Sequence, residues 1–142
     1  MLYPIAIEHG DEQHAYGVVV PDIQGCFSAG DTFEEALLNA KEAIMGHLEI
    51  LAEGGTLPPV PSDAGKYIDE PDYKGWLWAL VEIDTEPYMG KSEKINVTLP
   101  KLLLLQIQEE IKENQDYKNR SNFLQLAALH ELKQARSNQE SA

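Results

Sequence analysis

The sequence predicts an α+β chain in two parts. A front β-β-β-α-β domain spans residues 1–87, and a small back domain of one strand and two helices spans 94–137. Three observations predict this. Thr32-Phe33-Glu34-Glu35 is a capping box, and an apolar stripe at helical spacing follows it. Lys94 to Leu99 alternates polar and apolar residues and ends at Pro100, which reads as a strand leading into a helix. The charge is also split. Residues 1–90 hold 17 Asp+Glu and 3 Lys, giving −14, whereas 91–142 hold 7 Asp+Glu and 8 Lys+Arg, giving +1.

In the front domain Met1 to Ile7 reads as a strand, the polar stretch His9 to Gln13 as a turn, and His14 to Val20 as a second strand, together a hairpin. Pro21-Asp22-Ile23-Gln24-Gly25 breaks the second strand. Cys26 to Ala29 is a short extended piece closed by Gly30. Thr32 then caps a helix running to about Glu53. Its inner face carries Phe33, Ala36, Leu37, Ala40, Ile44, His47, Leu48 and Leu51. Gly54-Gly55 stops the helix, and Pro58, Pro59 and Pro61 stiffen the loop that leaves it. Trp76 to Ile83 is the last strand, with Trp76 and Trp78 on one face. Residues 88–93 read as a linker.

In the back domain Ile95, Val97 and Leu99 alternate with Lys94, Asn96 and Thr98. A lone strand leaves its backbone groups unpaired, so this one calls for a partner. The economical partner is the same strand of a second chain, giving an antiparallel ribbon. Helix one runs from Pro100 to Glu113 with Leu104, Ile107 and Ile111 on one stripe and Leu103 beside it. Asn114 stops it. Helix two starts at Ser121 as N-cap and runs to about Lys133. Its inner face carries Phe123, Leu124, Ala127, Ala128 and Leu132. A strand and two helices of this size cannot hide their own core, so dimerisation is expected. Residues 138–142 read as a disordered tail.

The polar face of the strand points to chemistry. Lysine, asparagine and threonine can all hydrogen-bond to base edges in the DNA major groove, and a two-stranded ribbon is one of the shapes that enters it. Lys94, Asn96 and Thr98 are therefore candidate base contacts. A net charge of −13 argues against a simple nucleic-acid binder, but the charge split confines the conflict to the front domain. DNA contacts must then be local and salt-sensitive, and the acidic front suits a basic protein partner.

Residues 94–133 resemble a ribbon-helix-helix DNA-binding domain, through Ile95-Asn96-Val97-Thr98-Leu99-Pro100 and the Arg120-Ser121 step. The resemblance implies that the outward strand residues read bases. It also implies that Arg120, Ser121 and Asn122, at the start of helix two, contact phosphate. A helix N-terminus offers free N–H groups and a positive dipole end for that purpose.

The front domain carries a second resemblance. Tyr16, Pro21-Asp22, Gly25-Cys26-Phe27, Gly30-Asp31-Thr32, Glu35-Ala36 and Ala40-Lys41-Glu42-Ala43, with the Pro58 to Pro61 loop, are similar to HicB-type antitoxins over about residues 1–85. That resemblance implies a partial ribonuclease-H-like fold and a small basic HicA-type toxin that cleaves messenger RNA as partner. It also implies repression of the chain's own operon at operator DNA. Asp22, Asp31 and Glu34 surround the most family-like segment and are the candidate toxin contacts. The expected assembly is a homodimer through the back domain, or a tetramer or larger.

The front domain reads as a binding module and not an enzyme. No strand carries a central isolated aspartate of the kind a two-metal nuclease needs. His9 and His14 bracket a turn with no cysteine nearby, so no metal and no cofactor is expected. His47 lies on the apolar stripe and reads as a packed or edge residue, and His130 on helix two reads as exposed. Cys26 is the single cysteine, which precludes an intrachain disulfide and fits a reducing cytosol. With no signal-peptide pattern and no apolar run long enough to span a bilayer, a cytoplasmic protein is expected. The rival reading is a stand-alone ribbon-helix-helix transcription regulator whose acidic front senses a small molecule or binds a protein.

Overall fold

Leu2–Glu8 forms strand β1, and the rest of the front unit is built around it. In the computed structural model, which describes residues 1–140, the chain parts into two compact units between Ser92 and Glu93. The front unit continues with β2 (Tyr16–Val19), β3 (Phe27–Gly30), helix α1 (Phe33–Glu53), the short helix α2 (Gly65–Ile68) and β4 (Leu77–Glu82). The four strands lie in the order β3-β2-β1-β4, and every neighbouring pair is antiparallel. The expected β-β-β-α-β succession is present. Short 3-10 turns at Pro71–Tyr73 and Glu86–Tyr88 and the helix α2 were not expected.

β1 is buried along both faces, which fits its place between β2 and β4. Tyr3, Ile5 and Ile7 join Val18, Val20, Val81 and Ile83 against Ala36, Ala40, Ile44 and Leu48 of α1. Burying a side chain of the size of Ile44 or Leu48 contributes about 1.5–3 kcal/mol, so this face dominates the stability of the unit. Pro4 is tolerated in a central strand for a local reason. Extending the β1–β2 register beyond Ala6↔Val19 sets Pro4 against Pro21, where the ladder has already ended.

Thr32 caps α1 as expected: its Oγ1 accepts the Glu35 N–H at 3.1 Å. The Glu35 carboxylate reaches back to the Asp31 N–H at 3.0 Å, one residue before the cap. The helix seats tightly on β3 because Gly30 has no side chain. A Cβ there would lie 2.3 Å from the Ala36 nitrogen. His47 sits on the helix with Nδ1 3.2 Å from the Ala43 carbonyl, a structural contact.

The back unit holds α3 (Lys101–Glu113) and α4 (Arg120–Glu140). Leu104, Ile107 and Ile111 turn inward on α3, as their spacing requires, with Ile107 buried. Asn114 ends α3 as expected, in an extended conformation (φ −117, ψ 112). Helix two differs from expectation in three ways. It is capped by Asn119, whose Oδ1 accepts the Asn122 N–H at 2.8 Å, so Ser121 lies inside the first turn. Its buried residue is Leu129, whereas Ala127, Ala128 and Leu132 are exposed. It runs to Glu140, because no glycine or proline interrupts residues 121–140. The helix therefore passes through residues 138–140 of the expected tail; residues 141 and 142 lie outside the described residues.

Among the described residues no strand forms over 94–99. No backbone hydrogen bond outside the helices and strands ties residues 93–98. Among the described residues the period-two pattern has no ladder partner.

Candidate functional site

The segment leading into α3 exposes both of its faces. Lys94, Asn96 and Thr98 are exposed, as a binding face requires. The opposite face is exposed too: Ile95 is 76 % and Val97 62 % accessible. Leu102, Leu103, Leu105 and Leu132 of the same unit are also exposed. The stretch alternates polar and apolar residues, with Ile95 and Val97 in water and no ladder hydrogen bonds among the described residues.

The start of α4 brings Arg120, Ser121 and Asn122 into one helical turn. Arg120 and Ser121 are exposed, and the turn contains no acidic residue. Asn122 is partly committed. Its N–H donates to Asn119 Oδ1, and its own Oδ1 accepts the Lys118 N–H at 3.2 Å. Tyr117 braces this corner edge-on against Phe123, with ring centroids 4.8 Å apart.

In the front unit the three candidate carboxylates divide. Asp31 and Glu34 are exposed at the N-terminal end of α1. Asp22 sits on the β2–β3 turn and is held by distant chain. Its Oδ2 accepts the Ser62 N–H at 2.8 Å, and its Oδ1 accepts the Tyr67 hydroxyl at 2.7 Å. Asp22 thereby ties the proline-rich loop and α2 to the sheet. The Tyr3 hydroxyl adds a second tie by donating to the Pro59 carbonyl at 2.7 Å. Burial, and then the hydrogen bond to Asp22, pushes the Tyr67 phenol up to about 12. Burial, and then the Asp22 charge, raises Tyr3 as well. Tyr67 stacks on Trp78 at 6.3 Å, and Tyr73 meets Trp76 and Trp78 edge-on at 5.4 and 5.3 Å. Sequence reasoning missed this tie; its partners lie 40 and 45 residues from Asp22.

The expected histidine turn is a local device. Asp11 Oδ1 accepts the backbone N–H groups of Gln13 and His14, each at 2.7 Å, and contacts the His14 ring at 2.9 Å. The Gln13 N–H, and then the His14 side chain, holds the Asp11 carboxyl below its ordinary range. Burial pushes the Cys26 thiol up. Among the described residues no group of three or more His, Cys, Asp or Glu could hold a metal ion. No helix among them is long and apolar enough to cross a membrane.

The profile of a HicB_like antitoxin of bacterial toxin-antitoxin systems matches residues 3–128. The chain belongs to the HicB-like antitoxin family. The match runs through both units and includes the 94–99 segment and the first turn of α4. A Haemophilus phage HP1 protein, described as an uncharacterized 14.9 kDa protein in the rep-hol intergenic region, is 48 % identical over 132 residues, covering 93 % of this chain and 98 % of that one. The crystal structure of the Burkholderia pseudomallei antitoxin HicB is similar at 40 % identity with a TM-score of 0.75, covering 93 % of this chain and 98 % of that one. A chain of the HicA3 and HicB3 toxin-antitoxin complex is similar at 42 % identity with a TM-score of 0.51, covering 59 % of this chain and 99 % of that one. The HicB-like α+β fold with its four-stranded antiparallel sheet is thus shared with solved antitoxins.

Proposed function

We propose that this HicB-like chain neutralises a small basic HicA-type toxin through its front unit and represses its own operon through its back unit. The observation that carries the reading is the exposed 94–99 segment. Its apolar face and its backbone both need a partner, and its other face holds only residues able to read base edges. A second chain supplies that partner as an antiparallel strand, and the exposed leucines of α3 and Leu132 of α4 are covered in the same homodimer. The back unit is then a ribbon-helix-helix. Lys94, Asn96 and Thr98 lie in the major groove, and Arg120, Ser121 and Asn122 grip phosphate at the N-terminus of α4. The two-fold symmetry of such a dimer calls for a palindromic operator.

Family membership and the charge of −14 over residues 1–90 support the toxin half of the reading. Charge complementarity speeds encounter with a basic partner, and buried apolar contacts set how long the complex lasts. Asp31 and Glu34 are exposed and add to the acidic field that draws a basic partner, whereas Asp22 acts by holding the loop. The β-β-β-α-β order accords with a partial ribonuclease-H-like domain used for binding and not for catalysis. The test replaces Lys94, Asn96 and Thr98 with alanine. Specific operator binding disappears in a gel-shift assay while toxin binding persists. Unchanged operator affinity would refute the ribbon assignment.

A further inference from the structure

The toxin reading leaves open which surface of the front unit is used, and one edge of the sheet points to an answer. Met1 and Ile83 exchange both of their backbone hydrogen bonds, at 2.7 and 2.8 Å. An antiparallel ladder alternates bonded and non-bonded pairs. In the β1–β4 register the bonded pairs are therefore Tyr3↔Val81, Ile5↔Ala79 and Ile7↔Leu77. Trp78, Leu80 and Glu82 aim their N–H and C=O groups away from β1. The sheet ends at β4, and among the described residues no backbone bond outside the helices and strands reaches these groups.

The other edge is protected. β3 has four residues, and Asn39 of α1 donates to the Ala29 carbonyl at 2.8 Å, covering the edge with a side chain. β4 is longer and has no proline and no lysine, the usual guards of an edge strand. Leu80 is 57 % accessible, and Leu2, on the same sheet face, is exposed beside it. The charge on this part of the chain is predominantly negative. Residues 66–86 carry six exposed carboxylates (Asp69, Glu70, Asp72, Glu82, Asp84 and Glu86) against Lys66 and Lys74. A second copy of this chain would bring two strongly acidic units together, so the charge selects a basic occupant.

We infer that the toxin docks on the front unit by adding an extended segment to the free edge of β4. Its backbone pairs with Trp78, Leu80 and Glu82, and its basic side chains meet the surrounding carboxylates. This inference rests on the antitoxin reading and names the surface that reading uses. The test uses the full chain and, as probe, an inactivated form of the small basic HicA-type protein that the antitoxin reading places in the same operon. Hydrogen exchange at the Leu80 and Glu82 amides slows by about tenfold or more on binding. Leu80→Pro removes an outward N–H without breaking the β1 ladder, and Leu80→Lys places a guard on the edge; each weakens binding by about tenfold or more. Ile50→Lys, at the exposed C-terminal end of α1, leaves binding unchanged. If wild type binds while these amides stay unprotected and both Leu80 variants bind equally well, the edge is wrong and the antitoxin reading stands. If wild type does not bind, both fall.

Discussion

Asp22→Ala tests how the front unit holds its long loop. The carboxylate accepts one N–H at 2.8 Å and one O–H at 2.7 Å, lengths typical of charge-assisted bonds. Such a bond contributes about 1.5–3 kcal/mol when fully buried. Both bonds here are part-buried, so water takes over some of the lost interaction in the variant. The two together are expected to contribute about 2–3 kcal/mol. Trp76 and Trp78 are the only tryptophans, so urea unfolding followed by tryptophan fluorescence reports on the front unit alone. With a slope of about 1–2 kcal/mol per molar urea, the midpoint falls by about 1–3 M. Tyr67→Phe removes one of the two bonds and costs about 1–1.5 kcal/mol. The cost of the double variant is less than the sum of the two single costs, because both remove the same contact. A midpoint shift under about 0.3 M for Asp22→Ala, or strict additivity with Tyr67→Phe, would refute the tie.

Three further outcomes are expected. Ile95→Asp or Val97→Asp places a charge where the second strand must pair, so the chain becomes monomeric by analytical ultracentrifugation at concentrations where wild type is dimeric. Gly30→Ala forces a Cβ against the Ala36 nitrogen and destabilises the front unit by about 1–3 kcal/mol in the same urea assay. The raised phenol of Tyr67 makes stability fall in alkali. The unfolded chain loses this proton near the ordinary 10.0 and the folded one near 12, so the contribution is complete below pH 10 and is lost as pH rises through 12. Tyr67→Phe is less stable at neutral pH and loses less across that window, as denaturation series at stepped pH will report.

The local features of this fold were legible because their causes are local. Thr32, Glu35 and the stripe from Ala36 to Leu48 specify α1 within one segment, and the turns around Gly10 and Gly25 bound the first strands. Sheet order was not legible, since β1 pairs with β4 about eighty residues away and nothing in either strand names the other. The tie at Asp22 was hidden for the same reason: a Pro-Asp step looks the same whether its carboxylate meets water or Tyr67. In helix two, Asn119, Ser121 and Asn122 can all cap, and the pattern pointed to Ser121 where Asn119 is the residue that caps. Seven of the ten residues 123–132 are apolar and no single stripe stands out, so spacing pointed to Ala127 and Ala128 where Leu129 is the residue buried. The 94–99 alternation was legible as a pattern, but among the described residues nothing pairs with it.

The central claim is that this chain is the antitoxin of a small basic toxin. Co-expression of the tagged full chain with the small basic protein that this reading places in the same operon, read out by growth and by co-purification, tests it most directly. The account predicts that the partner alone arrests growth, that this chain restores it, and that the two purify as a stable complex. Arrest that persists despite soluble, folded chain, with no complex recovered, would contradict it.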